Sequence, residues 1–196
     1  MRIIAGSRKG HRIAAPKGAD TRPTADRVRE AAFMLIGPVD DMAVLDLFAG
    51  SGAMGIEALS RGAAQAVFVE SDRAASHVIE RNLEKLRLTG AAIVRMEAMT
   101  ALAAEAAAGR RYDLVLVDPP YQMFSSVQHG LVRYLPAVLE PSALVVVETA
   151  AAEEPELPLP KRTSRRYGSA RLTVFERESE GQSLHRRDSS EGTVPS

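Results

Sequence analysis

Residues 44–55 read Val-Leu-Asp-Leu-Phe-Ala-Gly-Ser-Gly-Ala-Met-Gly, an apolar run that breaks into three glycines. Helix-forming residues follow directly, from Ile56 to Leu59. This pattern predicts a strand, a tight loop and the start of a helix. The glycines have the G-x-G-x-x-G spacing, which leaves room for a ligand against the backbone and lets a helix pack closely on a strand. The loop is therefore predicted to bind a nucleoside-bearing cofactor, although a glycine turn that binds nothing is the alternative.

Two carboxylates flank this loop and separate the possible cofactors. Glu70 ends the next apolar run, 20 residues after Gly50, where an acid can accept the ribose hydroxyls of NAD or of S-adenosylmethionine. Asp46 ends the strand before the loop, and its charge would repel a pyrophosphate but attract an ammonium and a sulfonium. The residues therefore favour S-adenosylmethionine. The predicted cofactor-binding residues at this loop are Asp46, Phe48, Ala49, Gly50, Ser51, Gly52 and Glu70.

The composition limits the class of protein. The chain of 196 residues, 45% of them hydrophobic, suits one domain with one core. No apolar run is long enough to span a membrane, and the first residues do not resemble a signal peptide. The chain has no cysteine, and its four histidines show no paired spacing. We expect a cytoplasmic monomer with no metal and no membrane segment.

The net charge of zero conceals an uneven distribution. Residues 1–30 carry eight Lys or Arg against three Asp or Glu, and residues 157–175 carry five against none. Residues 31–156 carry nine against seventeen. Two basic segments around an acidic body suit a polyanionic substrate, although they could also merely solvate a hairpin and a loop. The candidate phosphate-binding residues are Arg8, Lys9, Arg12, Arg22, Arg27, Arg29, Lys161, Arg162, Arg165 and Arg166.

Alternating strands and helices follow from residue 43. Strands are predicted near 43–48, 65–70, 91–96, 112–117 and 143–149, and helices near 53–61, 72–88, 98–108 and 124–135. Because Leu114–Val117 and Leu144–Val147 are apolar on both faces, they should lie in a parallel sheet covered on both sides. The pattern predicts a doubly wound α/β domain, and two runs at 162–167 and 171–176 predict an antiparallel hairpin that closes the sheet.

The two ends of the chain differ from this body. Short β-like runs at 2–5 and 12–15, joined by a basic turn, predict a small hairpin before a helix that ends near Ile36. The residues after Glu176 are rich in Ser, Glu and Arg and predict a disordered tail. The predicted division is an N-terminal extension over 1–22, a catalytic domain over 23–176 and a tail over 177–196.

The stretch Asp118-Pro119-Pro120-Tyr121 follows the fourth strand, at the edge of the sheet where open α/β folds bind ligands. The prolines fix the backbone and remove N–H donors, so the stretch offers a carboxylate, a carbonyl and an aromatic ring. If the Asp118 carboxylate and the Pro119 carbonyl each accept an N–H of an exocyclic amine, the nitrogen lone pair points at the methyl-sulfonium carbon. Such positioning supplies roughly 7–11 kcal/mol of a barrier. Tyr121 would stack on a flipped base, and all four residues are predicted to be catalytic.

Together, Asp118–Tyr121 and Asp46–Gly52 resemble the amino-directed S-adenosylmethionine methyltransferases, which act on adenine, guanine or glutamine amides. Residues 21–31, Thr-Arg-Pro-Thr-Ala-Asp-Arg-Val-Arg-Glu-Ala, and residues 55–63 resemble one family of that group, the bacterial 16S ribosomal RNA guanine-N2 methyltransferases. The resemblance covers about residues 2–176. It implies a Rossmann-like, seven-stranded class I methyltransferase sheet with a basic N-terminal β-hairpin, and 16S ribosomal RNA or the small ribosomal subunit as substrate. It also implies a contact to the cofactor adenine after the third strand, for which Glu97 is the candidate.

Three alternatives stay open. A DNA adenine-N6 methyltransferase shares Asp118–Tyr121, but the chain shows no obvious segment for reading base edges in duplex DNA. A nicotinamide-dependent oxidoreductase shares the glycines and Glu70, but Asp46 argues against it. A non-catalytic ribosome-assembly factor would explain the basic flanks but would not need Asp118–Tyr121. We expect methyl transfer from S-adenosylmethionine to the N2 amine of a guanine.

Overall fold

The computed structural model describes residues 1–16 and 23–178. Its strands are β1 Ala43–Asp46, β2 Gln65–Val69, β3 Ala91–Val94, β4 Tyr112–Val117, β5 Leu139–Ala150, β6 Lys161–Tyr167 and β7 Ala170–Glu176. Its helices are α1 Pro23–Ile36, α2 Ala53–Ser60, α3 Arg73–Leu86, α4 Ala98–Ala107 and α5 Phe124–Val138. Short 3-10 turns lie at Gly6–Arg8 and Tyr121–Met123. None of the helices in these described ranges has the length and apolarity needed to cross a membrane.

The seven strands form one sheet in the order β3-β2-β1-β4-β5-β7-β6. The first five strands in that order are parallel to one another, and β7 pairs antiparallel with both β5 and β6. The predicted doubly wound sheet and its closing hairpin are therefore confirmed.

Each face of the sheet has its own core, because successive residues of a strand point to opposite faces. Val44, Leu116 and Val146 pack under α1, α2 and α3 on what we call the first face. Val115 and Val145 pack under α4 and α5 on the second face. The central strands are buried on both sides, as their apolar sequences predict.

The N-terminal segment differs from the predicted hairpin. Arg2 and Arg12 form an antiparallel bridge, and the Ile3 amide donates to the His11 carbonyl at 2.9 Å, but neither run becomes a strand. The next two amides, of residues 4 and 5, instead donate to the carboxylate of Glu57 on α2, at 2.8 and 2.9 Å. The segment is therefore a turn docked on α2. The rest of the predicted extension, at residues 17–22, and the predicted tail from residue 179 onward lie outside the described residues.

Candidate active site

A cavity of about 820 Å³ opens at the carboxyl edge of the parallel strands. Its walls come from the loop after β1, the ends of β2 and β4, the middle of α1 and the turn between β6 and β7. A volume of this size suits a cofactor or a drug-sized ligand. The sheet edge that the sequence predicted as a binding site therefore does carry a cavity.

Four carboxylates project into this cavity from four neighbouring strands. Asp46 ends β1, Glu70 and Asp118 directly follow β2 and β4, and Glu148 lies near the end of β5. Residues two positions apart in a strand share a face. The residues two positions earlier all belong to the first-face core; they are Val44, Phe68, Leu116 and Val146. The regular alternation of the strands thus brings four negative groups to one side of one edge.

The glycine loop uses its three glycines for different purposes. Gly50 has φ +54°, and a Cβ built there would meet no atom within 4 Å, so this position leaves open space at the cavity. A Cβ on Gly55 would lie 2.3 Å from the Phe68 ring, which explains the close packing of α2 on β2. Gly52 has φ +78° and begins α2, where a Cβ would press on Ile79 at 3.2 Å. Gly52 is not part of the cavity wall, and its predicted contact with the cofactor stays a prediction.

Hydrogen bonds from the loop hold two of the carboxylates. The Gly50 amide donates to Glu70 at 2.8 Å, and the Gly55 amide donates to Asp46 at 3.0 Å. Asp46 is only 2% exposed. Burial raises the pKa of Asp46 to about 7, the Gly55 amide lowers it in part, and the charge of Glu70 raises it again. A cation in the cavity would stabilise the ionised form of Asp46.

Asp118 and Glu148 form the second half of the site. Val117 pairs with Val147, so the next residues, Asp118 and Glu148, lie side by side at the ends of adjacent strands. Solvent reaches Asp118 through the cavity, but protein surrounds its other sides. Burial raises the pKa of Asp118 well above its ordinary value, and the charges of Glu148 and Asp46 raise it further. Two adjacent acids with raised pKa values in a cavity mark a candidate functional site.

Tyr121 lies at the rim of the cavity, in the 3-10 turn that follows the prolines. Its hydroxyl donates to Glu148 at 3.2 Å. Burial raises the pKa of Glu148, whereas the hydrogen bond from Tyr121 lowers it in part. Pro119 and Pro120 also line the cavity, so the predicted catalytic stretch is brought together at one place.

Glu148 is the site residue that the sequence analysis missed. It follows the buried run Leu144–Val147 just as Asp118 follows Leu114–Val117. The same signal, a carboxylate at the end of an apolar parallel strand, would have found it.

The remaining predicted cofactor residues also face the cavity. Phe48, Ala49, Ser51 and Glu97 are part of its wall. Glu97 caps α4 and accepts a hydrogen bond from the Thr100 amide at 2.9 Å. Its contact with an adenine stays a prediction. Within residues 1–16 and 23–178, no group of three or more His, Cys, Asp or Glu is arranged to hold a metal ion.

Two predicted phosphate-binding arginines are used inside the protein. Arg29 is 3% exposed, bonds to the Arg2 carbonyl, and pairs with Asp26 at 2.9 Å and Glu57 at 3.8 Å. Arg8 is half-buried, and its Nε donates to the carbonyl of Leu86 at the end of α3 at 2.6 Å. Both guanidiniums already bond to acceptors within the protein, and a contact of either with phosphate stays a prediction.

The other predicted basic residues are exposed, except that Arg22 lies outside the described part of the chain. They are Lys9, Arg12, Arg27, Lys161, Arg162, Arg165 and Arg166. Lys161 pairs with Glu154 at 2.7 Å. Arg165 pairs in the sheet with Leu172 of the first-face core, so it lies on the cavity side, whereas the adjacent Arg166 points to the other face. The basic strand therefore presents its charges to both sides of the sheet.

Comparisons with known proteins agree with this architecture. A family model described as "Conserved hypothetical protein 95" matches residues 1–176. The ribosomal RNA small subunit methyltransferase D of Escherichia coli K12 is 37% identical over 193 residues, which are 93% of this chain and 93% of that protein. The solved structure of a hypothetical protein of Thermus thermophilus has a TM-score of 0.77 at 32% identity, over 90% of this chain and 99% of that one. The 16S rRNA N2 G1207 methyltransferase of T. thermophilus has a TM-score of 0.63 at 22% identity, over 83% of this chain and 45% of that one, which shows a shared fold.

Proposed function

The chain belongs to the "Conserved hypothetical protein 95" family, together with the ribosomal RNA small subunit methyltransferase D of E. coli, and we propose that it methylates the N2 amine of a guanine in 16S ribosomal RNA. S-adenosylmethionine is the methyl donor, and the substrate is the RNA itself or the small ribosomal subunit. The observation that carries the proposal is the cavity that joins the glycine loop, Asp46 and Glu70 to the stretch Asp118–Tyr121.

The cofactor assignment is supported by the chemistry of the cavity. Asp46 is buried beside Glu70 and Asp118, and burial together with the charge of Glu70 raises its pKa, so a cationic ligand would stabilise its ionised form. S-adenosylmethionine is such a ligand, and when bound it supplies a methyl group on a positively charged sulfur. Asp46 and the open loop at Gly50 would hold its charged end, and Glu70 would accept its ribose hydroxyls.

The chemical work of the chain is to position an amine. The Asp118 carboxylate and the Pro119 carbonyl accept the two N–H bonds of the guanine amine, which directs the nitrogen lone pair toward the methyl group. Tyr121 stacks on the base, and its hydrogen bond to Glu148 fixes the ring at the rim of the cavity. Methylation of the amine releases a proton, and Asp118, which lines the cavity beside it, would be the adjacent acceptor.

The RNA lies on the side of the sheet where the cavity opens. Lys9 and Arg12 in the docked turn, Arg27 on α1 and Arg165 on β6 are the exposed cations that would contact its phosphates. Phosphate neutralisation makes such binding fall steeply as the salt concentration rises.

The direct test incubates the protein with labelled S-adenosylmethionine and, in parallel, unmethylated small subunits, naked 16S RNA and duplex DNA. Mass analysis of the nucleosides should find N2-methylguanosine from one of the RNA substrates. N6-methyladenosine from DNA would instead support the alternative of a DNA adenine methyltransferase. Binding of S-adenosylmethionine without methylation of any of the three would exclude the proposed substrate.

A further inference from the structure

The second acid of the catalytic half, Glu148, has no part in holding the reacting amine. It nevertheless lies level with Asp118, because Val117 and Val147 are register partners in adjacent parallel strands. Such strands are about 4.8 Å apart, so two side chains at their ends are close enough to converge on neighbouring groups of one base edge. Both carboxylates line the same cavity. A planar base whose amine reaches Asp118 therefore has its next edge atom within reach of Glu148.

The Glu148 carboxylate also contacts Tyr121 at the rim of the cavity. Tyr121 donates a hydrogen bond to Glu148 Oε1 at 3.2 Å. A carboxylate has two oxygens and about four acceptor positions, so this bond leaves Glu148 able to accept from a ligand. The same tyrosine is the ring proposed to stack on the base.

The edges of guanine and adenine differ at the atom next to the amine. Guanine carries an N1–H donor beside its N2 amine, whereas adenine carries a bare N1 acceptor beside its N6 amine. Resting on the proposed function, we propose that the Glu148 carboxylate accepts the N1–H of the target guanine while Asp118 accepts from the amine. Glu148 is then the residue that makes the site specific for guanine, because an adenine N1 would face a carboxylate oxygen with no hydrogen between them.

A binding site that accepts a hydrogen bond from its substrate discriminates strongly against an analogue that lacks this donor. The acceptor of the site is then left without a partner. The matching analogue here is 2-aminopurine, which keeps the 2-amine but has an unprotonated N1. Glutamine at residue 148 keeps the shape of the side chain and adds an N–H donor. Glutamine can therefore accept from the N1–H of guanine or donate to the bare N1 of 2-aminopurine, whereas the glutamate carboxylate can only accept from guanine.

The experiment uses small subunits reconstituted with 16S RNA that carries guanine or 2-aminopurine at the position methylated by the wild-type protein. For the wild type, kcat/KM should favour guanine by about 100-fold or more. For Glu148→Gln, the preference should fall to about 10-fold or less, through a slower reaction with guanine and a faster one with 2-aminopurine. Tyr121→Phe is the matched control, because it removes the hydrogen bond to Glu148 and leaves the acceptor in place. It should slow both reactions and keep the wild-type preference within about threefold.

Equal losses with both bases in Glu148→Gln would overturn this inference and assign Glu148 to holding Tyr121 alone. So would a wild-type protein that shows no preference for guanine. Absence of N2-methylguanosine from the wild-type reaction would overturn the proposed function itself, and this inference with it. Binding of S-adenosylmethionine within about threefold of wild type would show that the variants are folded.

Discussion

Glu57 and Asp46 are both buried carboxylates, but they have opposite surroundings. Glu57 is completely buried and accepts hydrogen bonds from the Ile4 and Ala5 amides and from Arg61 Nε at 2.8 Å. Arg29 adds a second guanidinium at 3.8 Å. A buried charge with this many donors is a structural tie, because removing any one partner would leave the others uncompensated.

Asp46, by contrast, is buried among other acids. Its hydrogen bond comes from the neutral amide of Gly55, and the charges beside it are those of Glu70 and Asp118. Burial, together with the charge of Glu70, raises the pKa of Asp46 to about 7. The difference separates two kinds of buried acid. At Glu57 the protein supplies the positive charge through its arginines, whereas at Asp46 a bound ligand would supply it.

The largest effect is expected when one of the four carboxylates that line the cavity is removed. We expect Asp118→Ala to reduce methyl transfer by at least about 10³-fold, because the amine loses its orienting acceptor. The affinity for S-adenosylmethionine should stay within about threefold. Single-turnover transfer and equilibrium binding of the cofactor measure the two quantities.

The matched control for this variant is Asp113→Asn, at the opposite end of β4. The Asp113 carboxylate accepts from the Ala43 amide at 2.8 Å and lies outside the cavity wall. This substitution should lower stability slightly and leave transfer unchanged. If Asp118→Ala instead lost cofactor binding and transfer together, Asp118 would belong to the cofactor site.

Replacing Glu57, the buried acid that has countercharges, should mainly lower the stability of the fold. Glu57→Gln retains the shape of the side chain but points an N–H group at one of several donors and leaves Arg29 without its buried anion. We expect a loss of about 3–5 kcal/mol in the free energy of unfolding, measured by urea titration.

An exposed acid provides the comparison for that loss. Glu80 on α3 pairs with His77 at 2.8 Å, and both side chains are exposed. Glu80→Gln should change the free energy of unfolding by less than about 1 kcal/mol. Equal effects of the Glu57 and Glu80 substitutions would show that Glu57 is not the tie that holds the N-terminal turn.

Most of the strands and helices could be predicted from local sequence patterns, whereas the burial and the partners of individual charged side chains could not. The runs Leu114–Val117 and Leu144–Val147 identify buried parallel strands by themselves, and Asp118 is found because a carboxylate follows one of them. The same rule applies to Glu148, but the predicted strand extended through it and concealed it. Arg29 looked like a phosphate ligand because its sequence neighbours are basic.

The burial of that arginine is set by Glu57, which lies 28 residues later on another helix. Such pairing is a tertiary property that no local window contains. The predicted N-terminal strands stayed short for a similar reason, since the Ala5 amide, which would come next in the ladder, bonds to Glu57 instead. Periodicity thus predicts which surfaces are buried, and only the fold shows which charges meet.

The pH dependence of stability sharpens the comparison at Asp46. Its pKa is about 7 in the folded protein and ordinarily 3.8, so between these values the folded state holds a proton that the unfolded chain releases. The free energy of unfolding therefore falls as the pH rises through this window. From pH 5 to pH 7, Asp46 alone should account for roughly 2–3 kcal/mol.

Urea titrations at pH 5, 6 and 7 without cofactor would measure this slope. Asp46→Asn keeps an oxygen for the Gly55 amide but does not titrate, so its slope should be smaller than that of the wild type. Addition of S-adenosylmethionine should have the opposite pH dependence, with binding tighter as Asp46 ionises. Identical slopes for the wild type and Asp46→Asn would place the titration elsewhere in the cluster.

The arginines of β6 also fall into two groups, one on the cavity side of the sheet and one on the other side. The smallest effect that we predict compares one arginine from each group. Arg165 is exposed and lies in one row with Leu172 and Glu148 on the first face, whereas the adjacent Arg166 is exposed on the second face. Under the proposed function, a phosphate of RNA at the cavity would lie on the side of Arg165 and away from Arg166. Arg165→Ala should weaken RNA binding by about 1 kcal/mol and reduce the slope of log K against log salt by about 1.

Arg166→Ala is the matched control, because it changes the net charge by the same amount. It should leave the affinity and the salt slope nearly unchanged, because the long-range attraction of RNA is weakened equally in both variants, whereas only Arg165→Ala removes a direct phosphate contact. If the two variants weaken binding equally, the RNA senses only the total charge of β6, and the cavity face has no separate role in holding it.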